Sequence, residues 1–114
     1  MKIEKFEEII SWQKGIDLAV LVYEIFRNNR DFDFKDQIQR ASVSISNNIA
    51  EGYERRSNKE LKQFLYIAKG SSGEVRSMLY IAFKLNYISQ DQFNDLYERC
   101  LEIARLTSGF IKTL

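Results

Sequence analysis

Hydrophobic and polar positions alternate at helical period in four stretches, separated by three short polar breaks. In the first stretch, residues 6–28, Ile9, Trp12, Ile16, Ala19, Tyr23 and Phe26 fall on one face and read as the core stripe. A second apolar set, Ile10, Leu18, Leu21, Val22 and Ile25, lies roughly opposite. Polar residues such as Gln13, Asp17 and Glu24 take only a narrow sector. A bundle helix in a monomer needs one apolar stripe, so the second set is expected to meet another subunit.

The break Asn28-Asn29-Arg30-Asp31 ends this stretch, and Asp31 or Asp33 is placed to cap the next helix. That second helix is expected to run to about residue 53. Phe34, Ile38, Ala41, Ile45, Ile49 and Gly52 share one face and predict its core side. Asp36, Gln37, Arg40, Ser44, Asn47, Glu51 and Arg55 share another, polar along its whole length. The interior, Ser42 to Asn48, is poor in strong helix formers, so this helix depends on packing rather than propensity. Ala41, Ser42, Ser46 and Ala50 mark places where a neighbouring helix can come close, and Gly52 suits a helix end.

Ser57-Asn58-Lys59-Glu60 and Ser89-Gln90-Asp91-Gln92 are capping-box signatures that open two further helices, to about residue 86 and close to residue 114. The third would be about 40 Å long at ~1.5 Å per residue. Leu61, Leu65, Ala68, Val75, Leu79 and Ala82 make its core stripe, with Ile67, Met78, Ile81 and Leu85 beside it. Gly70-Ser71-Ser72-Gly73 sits in mid-helix; it lacks the spacing and ending of a phosphate loop and reads as a thin waist where helices cross closely. The fourth helix repeats Phe93, Leu96, Cys100, Ile103, Thr107, Phe110 and Leu114 at three- and four-residue steps. The pattern as a whole predicts one domain over residues 1–114, an all-α, up-down-up-down, left-handed four-helix bundle.

The segment between the first and second breaks carries a resemblance. Gln37-Ile38-x-Arg40-Ala41, then Ser44-Ile45-x-x-Asn48-Ile49-Ala50-Glu51-Gly52, resembles the signature of the four-helix-bundle proteins encoded in rRNA intervening sequences, a family labelled ribosomal-protein-like. Trp12-Gln13-Lys14 and Phe64-Leu65-x-Ile67-Ala68-x-Gly70-Ser71-x-x-Glu74 fit it too, so the likeness spans residues 12–88. The chain departs from the pattern in having no proline, at Asn29–Phe32 and at Ser46, and in having Gly73 where a larger apolar residue is expected. The resemblance implies a homo-oligomer, a ring pentamer in relatives, and an origin in inserts of rRNA genes. A similar bundle, the accessory protein of diversity-generating retroelements, forms a basic pentameric barrel that works with a reverse transcriptase and nucleic acid.

Composition narrows the chemistry. The 114 residues are 45% hydrophobic and 29% charged, as in globular proteins. The acidic N-terminus and short apolar runs predict neither a signal peptide nor a membrane span, and one cysteine fits a reducing cytoplasm. With no histidine, the usual general base and the commonest metal ligand are missing, and a di-iron bundle with its Glu-x-x-His pairs is excluded. Cys100, inside an apolar stripe, reads as a small hydrophobe rather than a nucleophile. We therefore expect no enzyme activity, no cofactor and no metal.

Net charge is only +1, but residues 58–86 hold five basic against two acidic side chains, and Arg55 and Arg56 precede them. Two readings follow. In one, an oligomer binds RNA or DNA through Arg55, Arg56, Lys59, Lys62 and Lys69, in a salt-sensitive and sequence-tolerant way. Tyr66 is the aromatic residue that interleaves with these lysines, so base-specific readout is not expected. In the other, the bundle is a protein-interaction scaffold without nucleic acid, as the near-zero net charge favours. The polar stripe of the second helix is expected to form a hydrogen-bond network of Arg40, Asn47, Asn48 and Glu51, within or between subunits.

Overall fold

The computed structural model describes residues 2–114. A 3-10 turn, Phe6–Glu8, leads into α1 (Ile10–Phe26), α2 (Phe32–Tyr53), α3 (Asn58–Lys84) and α4 (Gln90–Lys112), with no strand among the described residues. The rod measures 43 × 22 × 18 Å. Each helix packs on the next in the chain and α1 closes onto α4, while the diagonal pairs stay apart. Contacts run in opposite chain directions across each seam: Gly15 meets Ile45 and Gly52 meets Phe64, Ser72 meets Cys100, and Lys14 meets Glu102. This is the arrangement that an up-down-up-down bundle requires.

Helix ends follow the capping chemistry in the sequence. Asp31, rather than Asp33, caps α2 and accepts from the Phe34 amide. Ser89 and Gln92 form a full reciprocal box on α4. On α3 only half of the box forms. Ser57 accepts from the Glu60 amide, but the Glu60 carboxylate turns toward Arg55, 3.9 Å away. Asn86 sits in the left-handed region at φ 62°, and the Tyr87 amide reaches back to the Ala82 carbonyl at 2.8 Å, closing α3. The first helix starts at Ile10, later than the periodicity predicts. Before it, the Phe6 ring packs edge-on to Trp12 at 5.2 Å, and the Tyr53 hydroxyl donates to the Ile3 carbonyl at 2.6 Å.

The core is continuous along the rod. Phe26, Leu18, Val22, Ile38, Ile45, Ile49, Leu65, Val75, Leu79, Leu96 and Ile103 have no or almost no exposed surface. Two expectations need correction. Leu18 and Val22, read as part of a face for another subunit, lie in the centre of the core. Leu21 and Ile25 are half-buried against it, and Ile10 alone of that set is exposed. Conversely Ile16 and Tyr23 of the expected core stripe are exposed, together with Val20. The reason is geometric. α1 touches both α2 and α4, so its buried arc is centred between the two apolar sets. The middle of that arc is held by Ser11 and Gly15, small residues that do not read as core. Gly15 is there because α2 comes close; a Cβ on it would lie 3.3 Å from Ile45 Cγ2.

The second correction concerns the glycines of α3. Nothing lies within 4 Å of where a Cβ on Gly70 or Gly73 would be, so neither marks a helix crossing. The close contacts fall on the serines between them. Ser71 Oγ lies 2.9 Å from Ser44 Oγ, and Ser72 Oγ donates to the Cys100 carbonyl at 2.9 Å. Of the stripe beside the α3 core, Met78 is buried, but Ile67, Ile81 and Leu85 are about half exposed.

Candidate nucleic-acid interface

The basic residues singled out by sequence gather at the α2–α3 turn and along α3, but they are not equivalent. Arg55 is held in place. Its guanidinium donates to the Glu51 carboxylate at 2.8 Å, approaches Glu60 at 3.9 Å, and lies over the Phe64 ring at 4.8 Å. An arginine neutralised by two carboxylates adds little attraction for phosphate. Arg56, Lys59, Lys62 and Lys69 make no ion pair among the described residues. Arg56, Lys59 and Lys69 are exposed and Lys62 is half-buried. On α3 the lysine side chains stand on one side of the helix because Lys62 and Lys69 are seven residues apart. Tyr66, between them, is 58% exposed.

The polar stripe of α2 divides into parts. Glu51 pairs with Arg55, on the solvent side of one helix turn. Asn48 donates to the Ser44 carbonyl at 2.7 Å and to Ser44 Oγ at 2.9 Å, and Ser44 in turn meets Ser71 of α3. Arg40 and Asn47 are exposed, and their side chains make no hydrogen bond within the chain among the described residues. So Asn48 belongs to a network that ties α2 to α3 through serines, and Glu51 to a separate ion pair. Arg40, Asn47 and Asn48 line one shallow groove of about 410 Å³ with Tyr23, Val43 and Ser44. Sequence periodicity placed these residues on one face but did not show which of them find partners.

Burial pushes the Cys100 thiol up to about 12, which keeps it protonated and unreactive. The Tyr87 hydroxyl donates to the Asp31 carboxylate at 2.6 Å, and that bond, with partial desolvation, raises the Tyr87 phenol above its ordinary range. A charged groove between α1 and α4 is lined by Lys14, Asp95, Glu98, Arg99, Glu102 and Arg105, with both signs present and an Arg99–Asp95 bond at 3.0 Å.

A family model described as 23S rRNA-intervening sequence protein matches residues 7–109. The chain belongs to that family. Among solved structures it is similar to a protein of unknown function from the S23 ribosomal protein family of Bacteroides thetaiotaomicron. The two are 25% identical with a TM-score of 0.84, over 90% of this chain and 98% of that one. No curated protein sequence matches. Mapped on the fold, most of the segment that resembles the intervening-sequence signature has a packing role. Ile38, Ala41, Ile45, Ile49 and Gly52 are buried and Asn48 bridges through Ser44, whereas Arg40, the one basic residue of that segment, is exposed. No helix among the described residues is long and apolar enough to cross a membrane.

Proposed function

We propose that this member of the intervening-sequence family is a non-enzymatic oligomer that binds nucleic acid through phosphate contacts from Arg56, Lys59, Lys62 and Lys69. The observation that carries this reading is their freedom from ion pairs beside a neutralised Arg55. An unpaired cation has lost none of its attraction for phosphate to an internal carboxylate. One copy offers few such charges, and several copies around an axis multiply them along one strand. The exposed apolar surface supports assembly. Ile16, Val20 and Tyr23 lie on α1, and Ile67, Ile81 and Leu85 on the outer side of α3. Two different patches fit a heterologous contact, which closes into a ring when the rotation allows. The pentamer is what the resemblance implies. The absence of histidine from the sequence is the ground for proposing no enzyme activity.

Filter binding with structured RNA across a salt series tests the reading. Affinity should fall with salt at about 0.9 per neutralised phosphate for a duplex and about 0.7 for a single strand on the log–log slope. Arg56→Glu combined with Lys59→Glu and Lys62→Glu should lose binding at about 50 mM salt. If the unaltered protein binds neither RNA nor DNA there, the scaffold reading takes its place, with the apolar faces as its surface. Light scattering checks assembly. A species of several subunits is expected, and Val20→Asp should shift it toward the monomer; a monomer at micromolar concentration would refute the oligomer.

A further inference from the structure

One side of α3 carries more than the lysines. Lys62, Tyr66, Lys69, Gly73, Arg76, Tyr80 and Phe83 follow one another at alternating steps of four and three residues. That spacing keeps them on a single face for the length of the helix. From Lys62 to Phe83 the face is about 30 Å long at ~1.5 Å per residue. It contains no carboxylate. The two acidic residues of α3 point elsewhere: Glu60 approaches Arg55, and Glu74 accepts from Gln37 of α2.

Along this face cations and rings alternate. Lys62, Lys69 and Arg76 recur every seven residues, about 10 Å apart, and none of them makes an ion pair among the described residues. Tyr66 is 58% exposed and Tyr80 48%. Tyr80 is held edge-on by Phe93 at 5.1 Å and by Tyr97 at 5.9 Å, and Phe83 leans on Phe93 at 5.6 Å. Its ring is therefore a fixed platform, with its orientation set by α4. Between the two tyrosines, Gly73 leaves open surface, with no atom of a neighbouring helix within 4 Å of a Cβ position. Bare backbone there lets a flat group approach the helix between Lys69 and Arg76.

We infer that this face is a track for single-stranded nucleic acid, on which bases stack against Tyr66 and Tyr80 while phosphates meet Lys62, Lys69 and Arg76. The inference rests on the phosphate-binding reading above and adds the class of nucleic acid and the stacking contact. A duplex keeps its bases inside the helix and offers only phosphates, so the rings would gain nothing from it. Every base has a π-face, so stacking of this kind tolerates sequence. Cation and ring spacing, rather than hydrogen-bond readout, sets the preference.

The test is fluorescence anisotropy at about 50 mM salt. The probes are a labelled 20-nucleotide RNA without self-complementarity and the same RNA annealed to its complement. The single strand should bind more tightly. Tyr66→Ala should weaken it roughly 5- to 100-fold, from the stacking energy of one base, with the salt slope unchanged, and Tyr66→Phe should restore it. Tyr80→Leu, which keeps apolar contact with Phe93, should weaken it similarly. Lys69→Gln should instead lower the salt slope by about 0.7. If duplex and single strand bind alike, or both tyrosine variants bind like the unaltered protein, the track is wrong while phosphate binding stands. If nothing binds, both readings fall. If Tyr66→Ala changes the particle mass in light scattering and not the affinity, the face is a contact between copies and the inference is overturned.

Discussion

Gly52 of α2 lies so close to Phe64 of α3 that a Cβ on the glycine would fall 2.6 Å from the Phe64 Cβ, with Leu61 Cδ1 at 3.2 Å. The obstructing atom is next to the backbone of α3, so it has little room to yield. The two helices meet here at the end of the rod where the basic turn begins. Gly52 is thus required by close approach and not by its backbone conformation, which is helical.

Gly52→Ala is accordingly expected to destabilise the fold by about 1–3 kcal/mol, the usual cost of overpacking, with a melting temperature lower by several degrees. Gly70→Ala should act in the opposite direction. Its site is open and helical, so the alanine gains about 0.5–1 kcal/mol in helix propensity. Thermal melts followed by circular dichroism check both. A Gly52→Ala variant as stable as the parent would contradict the packing described for the α2–α3 seam.

Glu51→Ala should have little effect on stability. The Glu51–Arg55 pair is i,i+4 on an exposed turn, with side chains 55% and 44% accessible. Such pairs contribute about 0.3–0.5 kcal/mol, and salt screens them. A melt at low salt should show a shift near the limit of detection. A drop of many degrees would mean that Glu51 is buried in an assembly, where removing it strands its partner.

Cys100 should resist thiol reagents until the protein opens. The residue is 1% exposed and its thiol is pushed up to about 12 by burial. Labelling with an excess of iodoacetamide at pH 8 should follow the unfolding rate and accelerate with denaturant. The raised value also has a sign for stability. The thiol favours the folded state fully below its ordinary value of 9.0, and this contribution declines as pH rises toward 12.

Tyr87→Phe should lower stability at neutral pH by removing the hydrogen bond to Asp31, which is also the N-cap of α2. Because the Tyr87 phenol is raised above 10.0 in the fold, its contribution is complete below pH 10 and disappears as pH climbs through the folded value. Melts from pH 7 to 11 should show the variant and the parent converging at the alkaline end. Parallel curves would assign the alkaline loss to other groups.

The helices and most of the core were legible because their signals are local. Capping residues at Ser57, Ser89 and Asp31 stand beside the turns they stabilise, and the stripes of α2 and α4 have one apolar centre each. α1 was misread because its buried arc is centred on Ser11 and Gly15, and only the approach of α2 tells that a serine and a glycine are interior. The same limit hid Gly52 as a contact and suggested one at Gly70 and Gly73. Of the basic site, Lys62 and Lys69 were visible from spacing. Continuing that spacing forward would have reached Arg76 and Tyr80. The engagement of Arg55 depends on Glu51, Glu60 and Phe64 coming together around the turn, which no single helix period contains.

The absence of diagonal contacts has a kinetic consequence. Three of the four seams join helices consecutive in the chain, so they form with short loop closures. Only the α1–α4 seam joins distant segments, and part of it is a charged groove around Lys14, Arg99 and Glu102. Hydrogen exchange should therefore grade across the rod. The amides of α3 around Leu79 and Ala82 should exchange slowest, near the global limit. Those of α1 that face Arg99 should exchange sooner, through partial openings in which the first helix lifts from the fourth while α2, α3 and α4 stay packed.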